Sequence, residues 1–270
     1  MQAVILAAGR GSRLGDLTSD RPKPLLPLAG VPLLQRLLAS LREAGLAPVT
    51  IVTGYRAGLV SAHAPGCATI RNPRWQHTGI AASLLAAADA GTLARDDTIV
   101  TYADIVAEPG VFTATAGAPA APVLIPVNTR WLPLWQARMP DPLSDAERLI
   151  LGDGGTLLDI GGIPASLDEV HAQFMGIVRL TPAGAASLAG FYRHAMASQD
   201  GAARWDTTTL LAAWLRSGGT AATVPVAGGW LEVDTPADRD RYETLHIAGQ
   251  LSRLCDLDAR IPEGPACDAS

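Results

Sequence analysis

The chain has 270 residues, 48% of them hydrophobic, and a formal net charge of −5 at pH 7. That length and apolar content support one large buried core, and an acidic chain without a lysine or arginine run argues against a nucleic-acid surface. No apolar stretch approaches the roughly 20 residues of a membrane span, and the start of the chain has no basic leader-like segment. Cys67, Cys255 and Cys267 lie too far apart for a metal-ligand spacing. A cytoplasmic protein with reduced thiols and no membrane partner is therefore expected.

In chain order, Ala3 to Ala7 reads as a buried parallel strand, ending in the turn Ala8-Gly9-Arg10-Gly11. Pro32 to Leu41 has helical apolar spacing, with proline at its start and Gly45 beyond its end. Val49 to Thr53 is the second strand, Ala68 to Arg71 the third, Gly79 to Ala90 an alanine-rich helix, and Thr98 to Tyr102 a fourth strand running to Asp104. Strand and helix alternate, which predicts a mainly parallel sheet.

The rhythm changes after Pro122 to Val127. Val127 to Arg138, with Trp131 and Trp135, is predicted as a loop. Gly152-Asp153-Gly154-Gly155 reads as a hairpin turn between Arg148–Leu151 and Thr156–Ile160. Phe174 to Leu180 resumes the sheet, followed by helices over Ala185–Met196 and Thr207–Leu215. A last strand pair, Ala222–Val226 and Trp230–Val233, leads into a helix starting near Pro236. The expected organisation is a single domain over 1–248, with an acceptor-side insertion over 128–172. A C-terminal helix and a disordered end at Ile261 to Ser270 are expected within 249–270.

The glycine turn carries the chemistry. Glycines at 9 and 11 leave no side chain between backbone N–H groups and a bound anion. Arg10, Arg13 and Lys23 can meet phosphate oxygens, arginine through a planar fork and lysine as a compact charge. Lys23 is the only lysine in the chain, and Pro22 and Pro24 restrict its backbone so that less ordering is needed on binding. The spacing matches neither GxxxxGK[ST] nor GxGxxG, because position 14 is leucine.

Asp104 closes an apolar strand at the sheet edge where open α/β sheets place ligands. Asp234 sits similarly in Trp230-Leu231-Glu232-Val233-Asp234, although its place before Thr235-Pro236 also suits a helix N-cap. Strand alternation puts Glu232 on the same side as Asp234. Carboxylates beside a cationic phosphate loop suit Mg²⁺, which binds one or two carboxylates and completes its shell with water and phosphate.

Leu6-Ala7-Ala8-Gly9-Arg10-Gly11-Ser12-Arg13-Leu14, followed by Arg21-Pro22-Lys23-Pro24-Leu25, resembles the signature of nucleotidyltransferases that attach a nucleoside monophosphate to a phosphorylated acceptor. The resemblance spans roughly Met1 to Tyr242. It implies an α/β fold with a Rossmann-like, mainly parallel twisted sheet flanked by helices and a small antiparallel acceptor-side insertion. It also implies catalytic roles for Lys23 and Arg13, and Asp104 and Asp234 as Mg²⁺ ligands, with Glu232 as a possible third. The expected nucleotide site, on the same resemblance, comprises Leu6, Ala7, Ala8, Gly9, Arg10, Gly11, Asn72, Ser83 and Tyr102.

Trp131-Leu132-Pro133-Leu134-Trp135-Gln136-Ala137-Arg138, then Ser144-Asp145-Ala146-Glu147-Arg148, is similar to the branch that uses CTP with phosphocholine or aminoethylphosphonate. Trp131, Trp135, Arg138, Gln173 and Trp230 are thereby assigned to the acceptor, with an aromatic face able to hold an ammonium. Gln173 stands where that branch commonly has glutamate, which weakens the case for an amine-bearing acceptor; Asp168, Glu169 or His171 could substitute, but a neutral or carboxylated phosphonate is then an equal expectation. The expected partners are CTP and a small phosphonate or phosphorylated acceptor, with a homodimer possible. A sugar-1-phosphate nucleotidyltransferase, or a silent nucleotide-binding module, remains open as the alternative.

Overall fold

A computed structural model describes residues 1–259. The chain opens with β1 (Gln2–Ala7), two 3-10 turns, the short pair β2 (Pro27–Leu28) and β3 (Val31–Pro32), and helix α1 (Leu33–Glu43). Next come β4 (Val49–Thr53), α2 (Ala57–Ala62), β5 (Ala68–Arg71), α3 (Ile80–Asp89), β6 (Thr98–Tyr102), β7 (Ile105–Ala107) and α4 (Pro109–Gly117). The middle holds β8 (Val123–Asn128), α5 (Trp131–Arg138), β9 (Leu149–Leu151), β10 (Thr156–Ile160), β11 (Gln173–Phe174) and β12 (Ile177–Leu180). Helices α6 (Pro182–Ser198) and α7 (Thr207–Arg216), strands β13 (Ala221–Val226) and β14 (Trp230–Glu232), and α8 (Pro236–Ile247) complete it.

The main sheet has ten strands in the order β5-β4-β1-β6-β12-β8-β13-β10-β9, with β11 paired to β8. β5, β4, β1 and β6 pair in parallel, as does β13 with β8, while β12 runs antiparallel between β6 and β8. Alternation along β1 explains the two helix layers. Ala3, Ile5 and Ala7 face the core shared with α1, α4, α5 and α8. Val4 and Leu6 face the core shared with α3, α6 and α7. Both faces are covered, which is why β1 reads as a continuous apolar run.

Two expectations change. The tryptophan segment is the helix α5, because Pro133 falls in its first turn, where a missing N–H breaks no intrahelical bond. The last two strands do not pair with each other. Gly228 and Gly229 adopt φ of +87° and +67° and turn the chain away, so β13 joins β8 and β10 while β14 pairs with β7. The β9–β10 hairpin, with its glycine turn, extends the main sheet through β13.

After α8 the chain makes only a short 3-10 turn, Leu251–Arg253, in place of a further helix. Leu251 and Cys255 are buried in the α1-side core, and Asp256 N–H donates to Glu108. The end at Ile261 to Ser270 lies outside the described residues. Among the described residues, no helix is long and apolar enough to cross a membrane.

Candidate active site

β1 delivers the chain to the sheet edge, and the loop beyond it wraps Lys23. Gly11 has φ +78°, and a Cβ there would lie 2.7 Å from the Cβ of Lys23. Both the left-handed backbone and this close approach require glycine. Lys23 is buried, and its Nζ donates to Asp104 at 2.8 Å and to Asp234 at 2.5 Å. Arg13, mostly exposed, reaches the other oxygen of Asp234 at 3.0 Å. Burial disfavours the Lys23 ammonium, but the fields of Asp104, Asp234 and Glu232 outweigh it and hold the pKa above the usual lysine value.

The two aspartates meet through a small ladder separate from the main sheet. β14 pairs antiparallel with β7, with Glu232 opposite Ile105, and Val233 N–H donates to the carbonyl of Asp104 at 3.1 Å. Asp234 is not the helix cap. Thr235 caps α8, with Asp238 completing a capping box, which leaves the Asp234 side chain for the site.

Oxygens of Asp104, Glu232 and Asp234 lie within 4.8 Å of one another. Asp104 Oδ1 is buried with no hydrogen-bond partner among the described residues. Burial, with Asp234 and Asp104 alongside, pushes the Glu232 carboxyl up to about 8. Three carboxyl groups gather beside Lys23 and Arg13, and one buried oxygen of Asp104 is left without a partner among the described residues. This donor set fits a hard divalent cation.

A cavity of about 760 Å³ runs from the glycine loop to Asn72 and Ser83 and is also lined by Trp75, Gln76, Thr78 and Arg204. Leu6, Ala7, Ala8, Gly9, Arg10 and Gly11 all line it. Asn72 is committed within its wall, donating to Ser83 Oγ at 3.2 Å and Thr78 Oγ1 at 3.3 Å and accepting from Arg74 N–H. Its contacts shape the loop. Gly79 allows the 202–205 turn to approach, since a Cβ there would meet the Trp205 carbonyl at 2.1 Å.

A second cavity of about 410 Å³ shares Arg13, Ile80, Asp104 and Asp234 with the first. Tyr102 lines this cavity and not the first, because its ring lies over Gly176 and meets Phe174 edge-on at 6.0 Å. Trp135 and Trp230 line it, with rings 6.2 Å apart and nearly parallel. Gln173 also reaches it, and ties the backbone of Glu147 through both amide atoms, at 3.1 and 2.6 Å.

Trp131 and Arg138 do not line either cavity. Trp131 is buried edge-on against Trp135, and Arg138 is buried on Asp238 and beside Asp145. The helical form of α5 turns both away from the opening.

Three further carboxylates, Asp145, Glu147 and Asp206, line the second cavity. Asp168, Glu169 and His171 do not. Glu147 accepts from Thr208 Oγ1 at 3.1 Å. Burial, reinforced by nearby Asp206 and Asp145, pushes its carboxyl up to about 7. The Asp145-Ala146-Glu147 segment stands out in the sequence, whereas Asp206, which caps α7 through Thr209 N–H, was not singled out there.

The raised value carries a stability consequence. Glu147 has its ordinary carboxyl pKa near 4.5 when unfolded and about 7 when folded. Ionising it therefore costs the folded state nothing below about pH 4.5 and its full amount above about pH 7. Glu147→Gln should melt above wild type at pH 8, by up to about 10 °C, since the shift corresponds to at most about 3 kcal/mol. That gain should fade towards pH 4.5 in calorimetry, and a pH-independent gain would contradict the assigned cause.

A family model described as the MobA-like NTP transferase domain matches residues 3–157, from β1 into the β9–β10 hairpin. The CTP:phosphoglutamine cytidylyltransferase of Campylobacter jejuni is 26% identical over 248 residues, covering 88% of this chain and 97% of that protein. The 2-aminoethylphosphonate cytidylyltransferase of Lancefieldella rimae is 30% identical over 107 residues, 38% of this chain and 43% of that one. In structure, the CTP:phosphocholine cytidylyltransferase of Streptococcus pneumoniae superposes with a TM-score of 0.66 at 18% identity, over 91% of this chain and 98% of that one. With the glycine loop, Lys23 and the carboxylates gathered at one sheet edge, the chain belongs to the family of nucleotidyltransferases built on the MobA-like NTP transferase domain.

Proposed function

We propose that the protein transfers CMP from CTP to a small phosphonate or phosphorylated acceptor that carries an ammonium group, releasing pyrophosphate. One observation carries the reading: the two cavities meet at Arg13, Asp104 and Asp234, so a triphosphate in the first and an acceptor in the second converge there. The names of the relatives in Campylobacter jejuni and Lancefieldella rimae support CTP as the donor. Asp145, Glu147 and Asp206 support a cationic acceptor, supplying the acid that Gln173 lacks.

The chemistry needs no protein nucleophile, because a phosphate or phosphonate oxygen is already largely ionised at neutral pH, with a second pKa of about 6. The acceptor oxyanion attacks the α-phosphorus of CTP in line; the bond to the bridging oxygen breaks and its electrons leave with pyrophosphate. Lys23 neutralises charge growing on the α-phosphate, while Arg13 and the Gly9–Gly11 amides hold the outer phosphates. Mg²⁺, held by Asp104 and Asp234 with Glu232 beside them, would supply further positive charge to the triphosphate.

Pyrophosphate release measured with CTP, UTP, dTTP and GTP against aminoethylphosphonate, phosphocholine, an uncharged alkylphosphonate and glucose 1-phosphate tests this. CTP with an ammonium-bearing acceptor should exceed every other pair in kcat/KM by at least about tenfold. Faster turnover of glucose 1-phosphate with UTP, dTTP or GTP would assign the protein to sugar nucleotides.

A further inference from the structure

We infer that Arg138 is a positioning residue that fixes the Asp234 carboxylate through Asp238. The inference rests on the reading of Asp234 as a metal ligand. Arg138 ends α5 with 1% of its side chain exposed, facing an Asp238 side chain that is 5% exposed. The guanidinium forks onto Asp238, Nε to Oδ1 at 3.0 Å and Nη2 to Oδ2 at 3.4 Å. Asp238 Oδ2 in turn accepts the backbone N–H groups of Asp234 at 3.0 Å and Thr235 at 2.8 Å.

Asp234 is thus held on both sides. Its preceding residue, Val233, is pinned to the carbonyl of Asp104, and its own N–H is pinned to Asp238. A capping box needs no arginine, since Thr235 and Asp238 satisfy each other's backbone groups. The Arg138 fork adds a bidentate, charge-assisted partner to the same carboxylate and so limits its rotation. Arg138 therefore fixes the orientation of the group that pins Asp234.

The other end of Arg138 reaches the acceptor side. Nη1 lies 3.3 Å from Asp145, and the guanidinium carbon sits 5.1 Å from the centre of the Trp135 ring. Asp145 and Trp135 both line the second cavity. One buried side chain consequently spans the acceptor wall and the metal carboxylate without touching either substrate.

The test is Mn²⁺ binding followed by electron paramagnetic resonance, with and without a non-hydrolysable CTP analogue, alongside kinetics. In Arg138→Gln, Mn²⁺ affinity should fall about 10- to 100-fold, the loss typical for groups that orient a ligand. kcat should fall with it while acceptor KM changes less than about twofold, and Arg138→Lys should restore part of the loss. A folded Arg138→Gln with wild-type Mn²⁺ affinity overturns the inference, as does a tenfold rise in acceptor KM at unchanged kcat, the mark of an acceptor ligand.

If Arg138→Gln does not fold, Asp238→Asn decides on the same readouts, because its amide oxygen still accepts from Asp234 and Thr235. Wild-type protein that binds no Mn²⁺ with the analogue, or binds it equally after Asp234→Asn, would remove the underlying metal reading instead.

Discussion

Lys23→Ala should lower the rate of pyrophosphate release by about 10²- to 10³-fold, the loss expected when one preorganised charge is taken from a developing oxyanion. The effect should fall on kcat more than on the KM for CTP, since Arg13 and the loop amides still hold the outer phosphates. Lys23 is also structural. Its ammonium lies between two carboxylates, 2.8 Å from Asp104 and 2.5 Å from Asp234, and removing one partner from a buried pair costs about 3–5 kcal/mol. Arg13 remains on Asp234, and Asp104 keeps some solvent contact, so the lower end is expected. A divalent cation should recover much of that loss. The check is a melting curve in chelator and again in Mg²⁺, where the variant should gain more from metal than wild type does. Near wild-type turnover in Lys23→Ala would remove the lysine from the mechanism.

Asp234→Asn should be at least as damaging to activity, and for a different reason. Asp234 faces Lys23 through one oxygen and Arg13 through the other, so the substitution loosens both cations while removing a metal donor. Asp104→Asn removes the aspartate whose Oδ1 is buried without a partner. Both variants should bind Mn²⁺ more weakly and lose the dependence of rate on metal concentration. An unchanged metal titration in either one would exclude it as a ligand. Because each substitution deletes a negative charge from a carboxylate cluster that raises Glu232, neither should lower stability as much as Lys23→Ala.

How far this was legible from the sequence depended on distance along the chain. β4 and β5 have the predicted bounds, because short segments carrying β-branched residues between turns favour the extended chain. The glycine loop, Lys23, Asp104 and Asp234 were legible as candidate residues through composition and resemblance, and they converge as a site in space. The tryptophan helix was not legible. Two prolines flank or enter the stretch from Pro126 to Pro133, and only the first-turn placement of Pro133 rescues the helix.

The acceptor side was least legible. Glu147 reaches the cavity from the hairpin approach and Asp206 from the cap of α7, elements far apart in sequence. No local pattern brings them together. Arg138 was assigned to the acceptor only through the resemblance of the Trp131–Arg138 segment to the CTP-using branch. Its side chain is buried against Asp238, 100 residues later, and lines neither cavity.

The lysine–aspartate contacts have a further consequence for the order in which the protein matures. Lys23 is 81 residues from Asp104 and 211 from Asp234. Contacts of such separation carry a loop-closure cost that must be met before they form, and they form late. A chain emerging N-terminus first completes β1 and the glycine loop long before β14 can be laid beside β7. A partly synthesised chain thus presents the glycine loop with an unmatched lysine, and gains its carboxylate pair only when nearly the whole domain has been made.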